Sequence, residues 1–214
     1  RSGLLPIRAV HIRSKLTHVT QEQLRYVAEH ELKGSFLTVD ITETRAAFEK
    51  LPWVRKVSVR RSWPDRLEID VEEHQAAARW AENGLVNTYG EWFDAAFSQP
   101  LPLLAGPKGS EKEMLAAYLA FKQVLQPVGV LPEELKLSAR RAWQVKLDNS
   151  VVLELGRQDI GLRVGRFAAS WRDQLSRLPY KIEYVDLRYP NGFAVRMPDY
   201  KPGKGAPAMP RPAA

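Results

Sequence analysis

Residues 54–73, VRKVSVRRSWPDRLEIDVEE, decide the fold of the first third of this chain. Val57 and Val59 alternate with Lys56, Ser58 and Arg60. After Trp63-Pro64-Asp65, Leu67, Ile69 and Val71 alternate with Arg66, Glu68, Asp70 and Glu72. Successive side chains of a strand point to opposite faces, so the pattern predicts a hairpin with one apolar face and its turn at Trp63-Pro64-Asp65. A lone hairpin is marginal in water and needs a cover for that face. The preceding sequence supplies one. A helix that Pro52 stops has Asp40 or Thr42 as its cap, with Ile41, Arg45, Phe48 and Leu51 on one side. Before it, Thr20-Gln21-Glu22-Gln23 has the form of a capping box. Leu24, Val27, Ala28 and Leu32 follow at helical spacing, with Gly34 at the expected C-cap. Ile7, Val10 and Ile12, set among basic residues, read as a first strand. The order strand–helix–helix–strand–strand makes a complete small α+β domain over residues 1–73.

Forward of the hairpin, a second unit is expected over residues 74–198. Ala76 to Trp80 and Leu85 to Thr88 flank the turn-like Glu82-Asn83-Gly84. A loop rich in Pro and Gly spans 100–109, and Ser110 is placed to cap a helix with Met114, Tyr118, Phe121 and Leu125 on one stripe. Alternating stretches return at Leu135 to Ser138, Trp143 to Leu147 and, past the turn Asp148-Asn149-Ser150, Val151 to Leu155. A helix is expected from Asp159 to Arg177, then a long alternating run through Tyr184, Val185, Asp186, Leu187, Arg188 and Tyr189 to Met197. Residues 199–214 form a Pro-rich tail that can neither pair as a strand nor continue a helix, and disorder is expected there. The second unit reads as a mostly antiparallel β domain with flanking helices.

Composition narrows the function classes. Of 214 residues, 44% are hydrophobic and 27% charged, which suits a globular protein. The absence of cysteine removes disulfides, thiolate–zinc sites and thiol nucleophiles. The net +7 raises nucleic acid as a partner, but the excess is only +2, +3 and +2 over residues 1–74, 75–198 and 199–214. So thin a spread argues against nucleic acid.

The sequence offers little chemistry. His11, His18, His30 and His74 lack the spacing of a metal pair. Glu72 and Glu73 are adjacent on a strand and point to opposite faces, so they cannot act as an acid/base couple. No dinucleotide, phosphate-loop or nucleophile-elbow motif occurs, and no cofactor is expected. Trp53, Trp80, Trp143 and Trp171 sit among apolar residues as packing elements, while Trp63 and Trp92 read as caps on hairpin tips. A non-enzyme follows. The remaining feature is the last strand, which precedes a segment that cannot pair. Such a strand often lies at a sheet edge, and Arg188, Tyr189 and Phe193 lie on or beside it. Composition alone favours a partly covered edge with solvated charges; the alternative is an edge whose free N–H and C=O groups accept another chain's strand.

Several stretches carry a resemblance. Leu51-Pro52-Trp53-Val54, Val57 to Leu67 and Glu68 to Glu73 resemble the POTRA domain of the FtsQ/DivIB family of bacterial cell-division proteins, proteobacterial type. Ala78-Arg79-Trp80, Ser138 to Val145 (SARRAWQV) and Tyr184 to Val195 (YVDLRYPNGFAV) resemble that family's β domain. Residues 4–198 are covered. The resemblance implies a non-catalytic divisome scaffold linking early and late division proteins during septum formation. It implies a single-pass inner-membrane protein whose transmembrane helix precedes Arg1, with this portion in the periplasm, where an absence of thiols is fitting. It implies binding of FtsB, paired with FtsL, and links to FtsK, FtsW, FtsI and FtsN. In the family, an FtsB segment adds a strand to the last β-domain strand and basic residues meet an FtsB carboxylate. Carried over, those are Arg140 and Arg188, with Tyr189 as the aromatic contact. Gly192, Phe193, Ala194 and Val195 form the edge, and Met197 stands where enterobacterial members carry a contacting Trp. An alternative from another class is a POTRA-type chaperone for outer-membrane assembly or secretion. A peptidoglycan-acting enzyme is a third, with no acid/base pair or metal cluster to support it.

Overall fold

A computed structural model describes residues 6–201; most of the Pro-rich tail lies outside the described residues. The chain divides into two compact units, residues up to 75 with 93–96, and 76–92 with 97 onward.

The first unit contains β1 (Ala9–Ile12), α1 (Gln21–Glu31), α2 (Ile41–Glu49), β2 (Val54–Ser62) and β3 (Arg66–Glu73). The expected hairpin forms, with β3 between β2 on its antiparallel side and β1 on its parallel side. Its apolar face, Val57, Val59, Ile69 and Val71, packs with Val19, Leu24, Val27, Ala47 and Phe48 of the helical layer. Thr20 and Gln23 make the reciprocal capping box of α1. Just before it, the Glu73 carboxylate accepts the N–H groups of Thr17, His18 and Val19 at 2.8, 2.8 and 2.6 Å, tying the end of β3 to the start of the helix.

Two local readings change. Helix α2 is capped by Asp40, whose Oδ1 accepts from the N–H groups of Thr42 and Glu43, and it buries Thr44, Ala47 and Phe48. Arg45 is exposed and pairs with Glu49, so it does not share the face of Phe48. Gly34 does not cap α1, which ends at Glu31 with Leu32 as C-cap. It turns the loop beyond at φ +103°, where a Cβ would lie 2.8 Å from Thr38 Oγ1.

The second unit holds β4 (Ala76–Trp80), β5 (Leu85–Asn87), the first residue of β6 (Trp92–Phe93), β7 (Leu103–Ala105), α3 (Glu111–Leu125), β8 (Pro132–Leu137), β9 (Trp143–Leu147), β10 (Val152–Gly156), α4 (Ile160–Asp173), β11 (Tyr184–Asp186) and β12 (Ala194–Arg196). Its sheet runs β12-β11-β10-β9-β8-β7-β4-β5-β6. The pairs β4–β5, β8–β9, β9–β10 and β11–β12 are antiparallel. Three pairings are parallel: β7–β8 and β10–β11, whose connections contain α3 and α4, and β4–β7, whose connection runs through β5, β6 and the proline-rich stretch. The short strand β7 lies inside the stretch expected to be a loop. Met114, Tyr118, Phe121 and Leu125 of α3 and Val164 and Phe167 of α4 close the core.

Neither helix start carries a side-chain cap, which departs from expectation at Ser110. Ser110 precedes α3 but its Oγ donates to the Pro107 carbonyl and caps nothing. Asp159, before α4, is left-handed and likewise makes no side-chain cap. Helix α4 ends at Asp173, four residues short of the expected limit, and a 3₁₀ turn over Leu175–Arg177 follows.

The long C-terminal strand is two strands of three residues each, with an irregular connection between them. The ladder stops at Asp186 for a local reason. Its carboxylate captures the Arg188 N–H at 3.1 Å, so the backbone turns where the sequence pattern alone would continue.

Candidate partner-binding edge

Strand β12 is the last strand of the second unit's sheet and, among the described residues, pairs on one side only, with β11. Val195 lies opposite Val185, Ala194 opposite Asp186 and Arg196 opposite Tyr184. Phe193, Val195 and Met197 pack partly buried against the core, so alternate side chains anchor the edge. Arg196 points to solvent. Of the residues expected at this edge, Ala194 and Val195 are in the strand, whereas Gly192 and Phe193 precede it, Met197 follows it, and Arg188 and Tyr189 stand on the connection from β11.

Register brings the two expected arginines to one end of the sheet. Strand β10 ends at Gly156, opposite Trp143 at the start of β9, and Glu154 pairs with both Gln144 of β9 and Asp186 of β11. Arg140 is three residues before β9 and Arg188 two after β11, so both lie beyond the Gly156 end. Arg188 lines a cleft of about 550 Å³ together with Ala142, Glu154, Gly156, Arg163 and Pro190. Arg140 is exposed and, among the described residues, makes no ion pair or side-chain hydrogen bond. Its neighbour Arg141 is spent on Glu113 of α3.

Arg188 is held rigidly. Its Nε donates to Asp186 Oδ1 at 3.0 Å and its Nη2 to Oδ2 at 2.8 Å, a bidentate pair. Asp186 is the more buried partner, with 9% of its side chain exposed against 35% for Arg188. Burial alone would raise the Asp186 pKa. The hydrogen bonds from Arg188, with the charges of Arg188 and Arg163, outweigh it and hold the pKa below the ordinary carboxylate value. The hydrogen bond to Asp186 raises the Arg188 pKa, so the guanidinium stays charged. Two of its five N–H donors face Asp186, and the remaining donors can meet a second carboxylate. Nearby, Tyr184 donates to Glu154 at 3.2 Å; burial, followed by the charges of Glu154 and Asp186, pushes its pKa up to about 12.

Sequence reading missed the element that holds the connection in place. Arg166 of α4 donates through Nη1 to the carbonyls of Tyr189, Pro190 and Gly192 at 3.0, 3.2 and 3.1 Å, and through Nη2 to that of Leu187 at 3.5 Å. One guanidinium thus fixes the loop presenting Tyr189. Arg163, one turn earlier, donates to the Leu155 carbonyl. The signal was present as Arg163 and Arg166 at i,i+3 on the face of an otherwise apolar stripe. Gly156, at φ +70°, makes room for both sides of the cleft: a Cβ there would lie 2.9 Å from Arg163 Nη1 and 3.1 Å from Arg188 Cγ.

Comparison with known proteins reaches both units. Residues 78–188 match the family model described as cell division protein FtsQ/DivIB, C-terminal, and residues 5–74 match that of the POTRA domain, FtsQ-type. The chain is 45% identical over 198 residues to cell division protein FtsQ of Nitrosospira multiformis, covering 90% of this chain and 84% of that one. It is 41% identical over 197 residues to cell division protein FtsQ of Burkholderia pseudomallei, covering 89% and 79%. The protein of the same name from Neisseria gonorrhoeae is 35% identical over 205 residues, covering 95% and 85%.

Proposed function

We infer the function from one premise: this chain belongs to the FtsQ/DivIB family of bacterial cell-division proteins, with a POTRA domain followed by the family's β domain. Its role lies in cell division and septation, among the protein partners of the divisome. Beyond that, we propose a non-catalytic scaffold that binds FtsB, paired with FtsL, at the C-terminal edge, and through which FtsK, FtsW, FtsI and FtsN are linked. We also propose that a transmembrane helix precedes Arg1 and that the residues described here lie in the periplasm. Among the described residues no helix is long and apolar enough to cross a membrane.

The observation that carries the binding proposal is the one-sided pairing of β12. An FtsB segment adding a strand there supplies main-chain hydrogen bonds that are largely indifferent to sequence. Specificity then comes from side chains: Arg188, already oriented by Asp186, and Arg140 meet a carboxylate, while Tyr189 gives a rigid aromatic contact. Gly192, Phe193, Ala194, Val195 and Met197 form or flank the edge, with Phe193, Val195 and Met197 held against the core so that the strand is pre-ordered.

The test is calorimetric titration of the periplasmic FtsB segment into this chain and into a version ending at Gly192. Binding to the full chain and loss in the shortened one are expected; equal affinity for both would overturn the edge assignment. Alkaline extraction of the native protein from cell membranes tests the anchor separately, with retention in the membrane as the expected result.

A further inference from the structure

Two large apolar side chains stand in solvent at one end of the first unit. Trp63, at the tip of the β2–β3 hairpin, is 78% exposed, and Leu37, between α1 and α2, is 61% exposed. Arg61 joins them: its Nε donates to the Phe36 carbonyl at 2.9 Å and its Nη2 to the Val39 carbonyl at 2.6 Å. The carbonyls on either side of Leu37 are therefore fastened to the end of the strand that leads to Trp63. The start of β1 lies at this end too. The Arg8 N–H donates to the Asp65 carbonyl at 2.9 Å, its guanidinium is 3.6 Å from the Asp65 carboxylate, and Ala9 pairs with Arg66.

The tip is the more one-signed end of the hairpin. Arg8, Arg61 and Arg66 surround it, with Asp65 the one acid in residues 61–66, while the other end mixes signs, Glu72 and Glu73 lying beside Lys56 and Arg55, which pairs with Glu72. Trp63 also behaves unlike the other exposed tryptophan. Trp92 spends its indole N–H on the Asn83 carbonyl at 2.8 Å, whereas Trp63 makes no hydrogen bond among the described residues. An exposed indole and an exposed leucine at the same end of the unit, with guanidinium groups about the tip, fit the interface of an anionic bilayer: the ring enters at headgroup level, its N–H stays wet, and arginines meet phosphates.

We infer that this end of the POTRA domain rests on an anionic phospholipid surface, with Trp63 and Leu37 entering the interface and Arg8 and Arg66 pairing with lipid phosphates. The inference deepens the membrane-anchored reading and rests on it for proximity. An anchor preceding Arg1 would reach β1 through Arg8, and the seven-residue step from Arg1 to Arg8 can span at most about 25 Å.

The test holds the chain by an N-terminal histidine tag on vesicles of phosphatidylglycerol and phosphatidylethanolamine that contain a nickel-chelating lipid, with and without brominated acyl chains. The tether supplies the proximity that the anchor would give, so this result fails or succeeds independently of the extraction experiment on the native protein. Brominated lipid should quench part of the tryptophan emission; Trp63→Ser should lose that part, Arg66→Ser should reduce it and Trp92→Phe should keep it. Phosphatidylcholine vesicles should give weaker quenching than the anionic ones. Equal quenching of Trp63→Ser and the parent, or quenching as strong on phosphatidylcholine, would overturn the inference and leave the face to a protein partner.

Discussion

The β2–β3 hairpin of the first unit and the β11–β12 pair of the second are both antiparallel, yet they are held by different means. Strands of nine and eight residues carry the first, with alternate side chains fully inside a two-layer core. The second has three residues on each side, and side chains do what the ladder does not: Arg166 grips the connection and Asp186 grips Arg188. A long ladder is complete in itself. A short one fastened by side chains keeps an edge in position while leaving main-chain groups for an added strand, at the cost of depending on a few charged contacts.

That contrast can be broken most severely in the first hairpin. Ile69 is wholly buried in β3, and Ile69→Ala should cost about 2–5 kcal/mol, read as a lower denaturation midpoint for the first unit. Affinity for the FtsB segment should hold while the second unit stays folded. Loss of binding with the second unit intact would contradict the assignment of the edge to that unit.

At the short pair, substitutions should act on binding more than on folding. Tyr189→Ala should weaken FtsB binding by about 2–4 kcal/mol, the range of an aromatic hot spot. Arg188→Ala alone would leave Asp186 buried and uncompensated, mixing lost binding with lost stability. The pair Arg188→Ala with Asp186→Asn removes both charges and isolates the binding term. Unchanged affinity in both Tyr189→Ala and the paired variant, measured calorimetrically, would remove the connection from the site. Arg166→Ala is expected to be milder, about 1–3 kcal/mol of binding. It touches no partner in this reading and acts by releasing the carbonyls of Tyr189, Pro190 and Gly192. Arg166→Lys, which keeps charge but loses the fork, should recover only part of it.

The two hairpins also differ in how far the sequence discloses them. Period-2 alternation over residues 56–60 and 66–72 fixed the pairing, and the strand register followed it, with an irregularity only at Val54–Lys56, where the alternation lapses. Alternation in 184–197 was equally visible but misleading about length, because the Asp186 carboxylate diverts the backbone at Arg188 through a hydrogen bond that hydrophobic periodicity does not register. Strand β7 was hidden for another reason. Leu103–Ala105 is three residues in a proline-rich stretch, and its partners β4 and β8 are remote in sequence, so local pattern held no trace of the pairing. Arg188 could be named from the family resemblance, whereas its dependence on Asp186, and that of Tyr189 on Arg166, arises from contacts made only in the fold.

The smallest effect sharpens the comparison by pH. Asp186 has a folded pKa below its unfolded value, because the hydrogen bonds and charges from arginine outweigh burial. Its contribution to stability is therefore fully present above the unfolded carboxylate value of about 3.9 and is lost as pH falls through the lower, folded value. Asp186→Asn should show a shallower loss of stability than the parent on the acid side of about pH 4, measured as the urea midpoint against pH. The carboxylates of the first hairpin are not equivalent controls for burial: the Arg60–Asp70 pair is exposed, with 62% and 39% of the side chains in solvent. Asp70→Asn should lower the urea midpoint at neutral pH by less than Asp186→Asn does, since exposed pairs contribute little. If both variants lower that midpoint equally, the short hairpin is no more dependent on its partly buried ion pair than the long one is on its surface charges, and the distinction between the two modes of fastening falls.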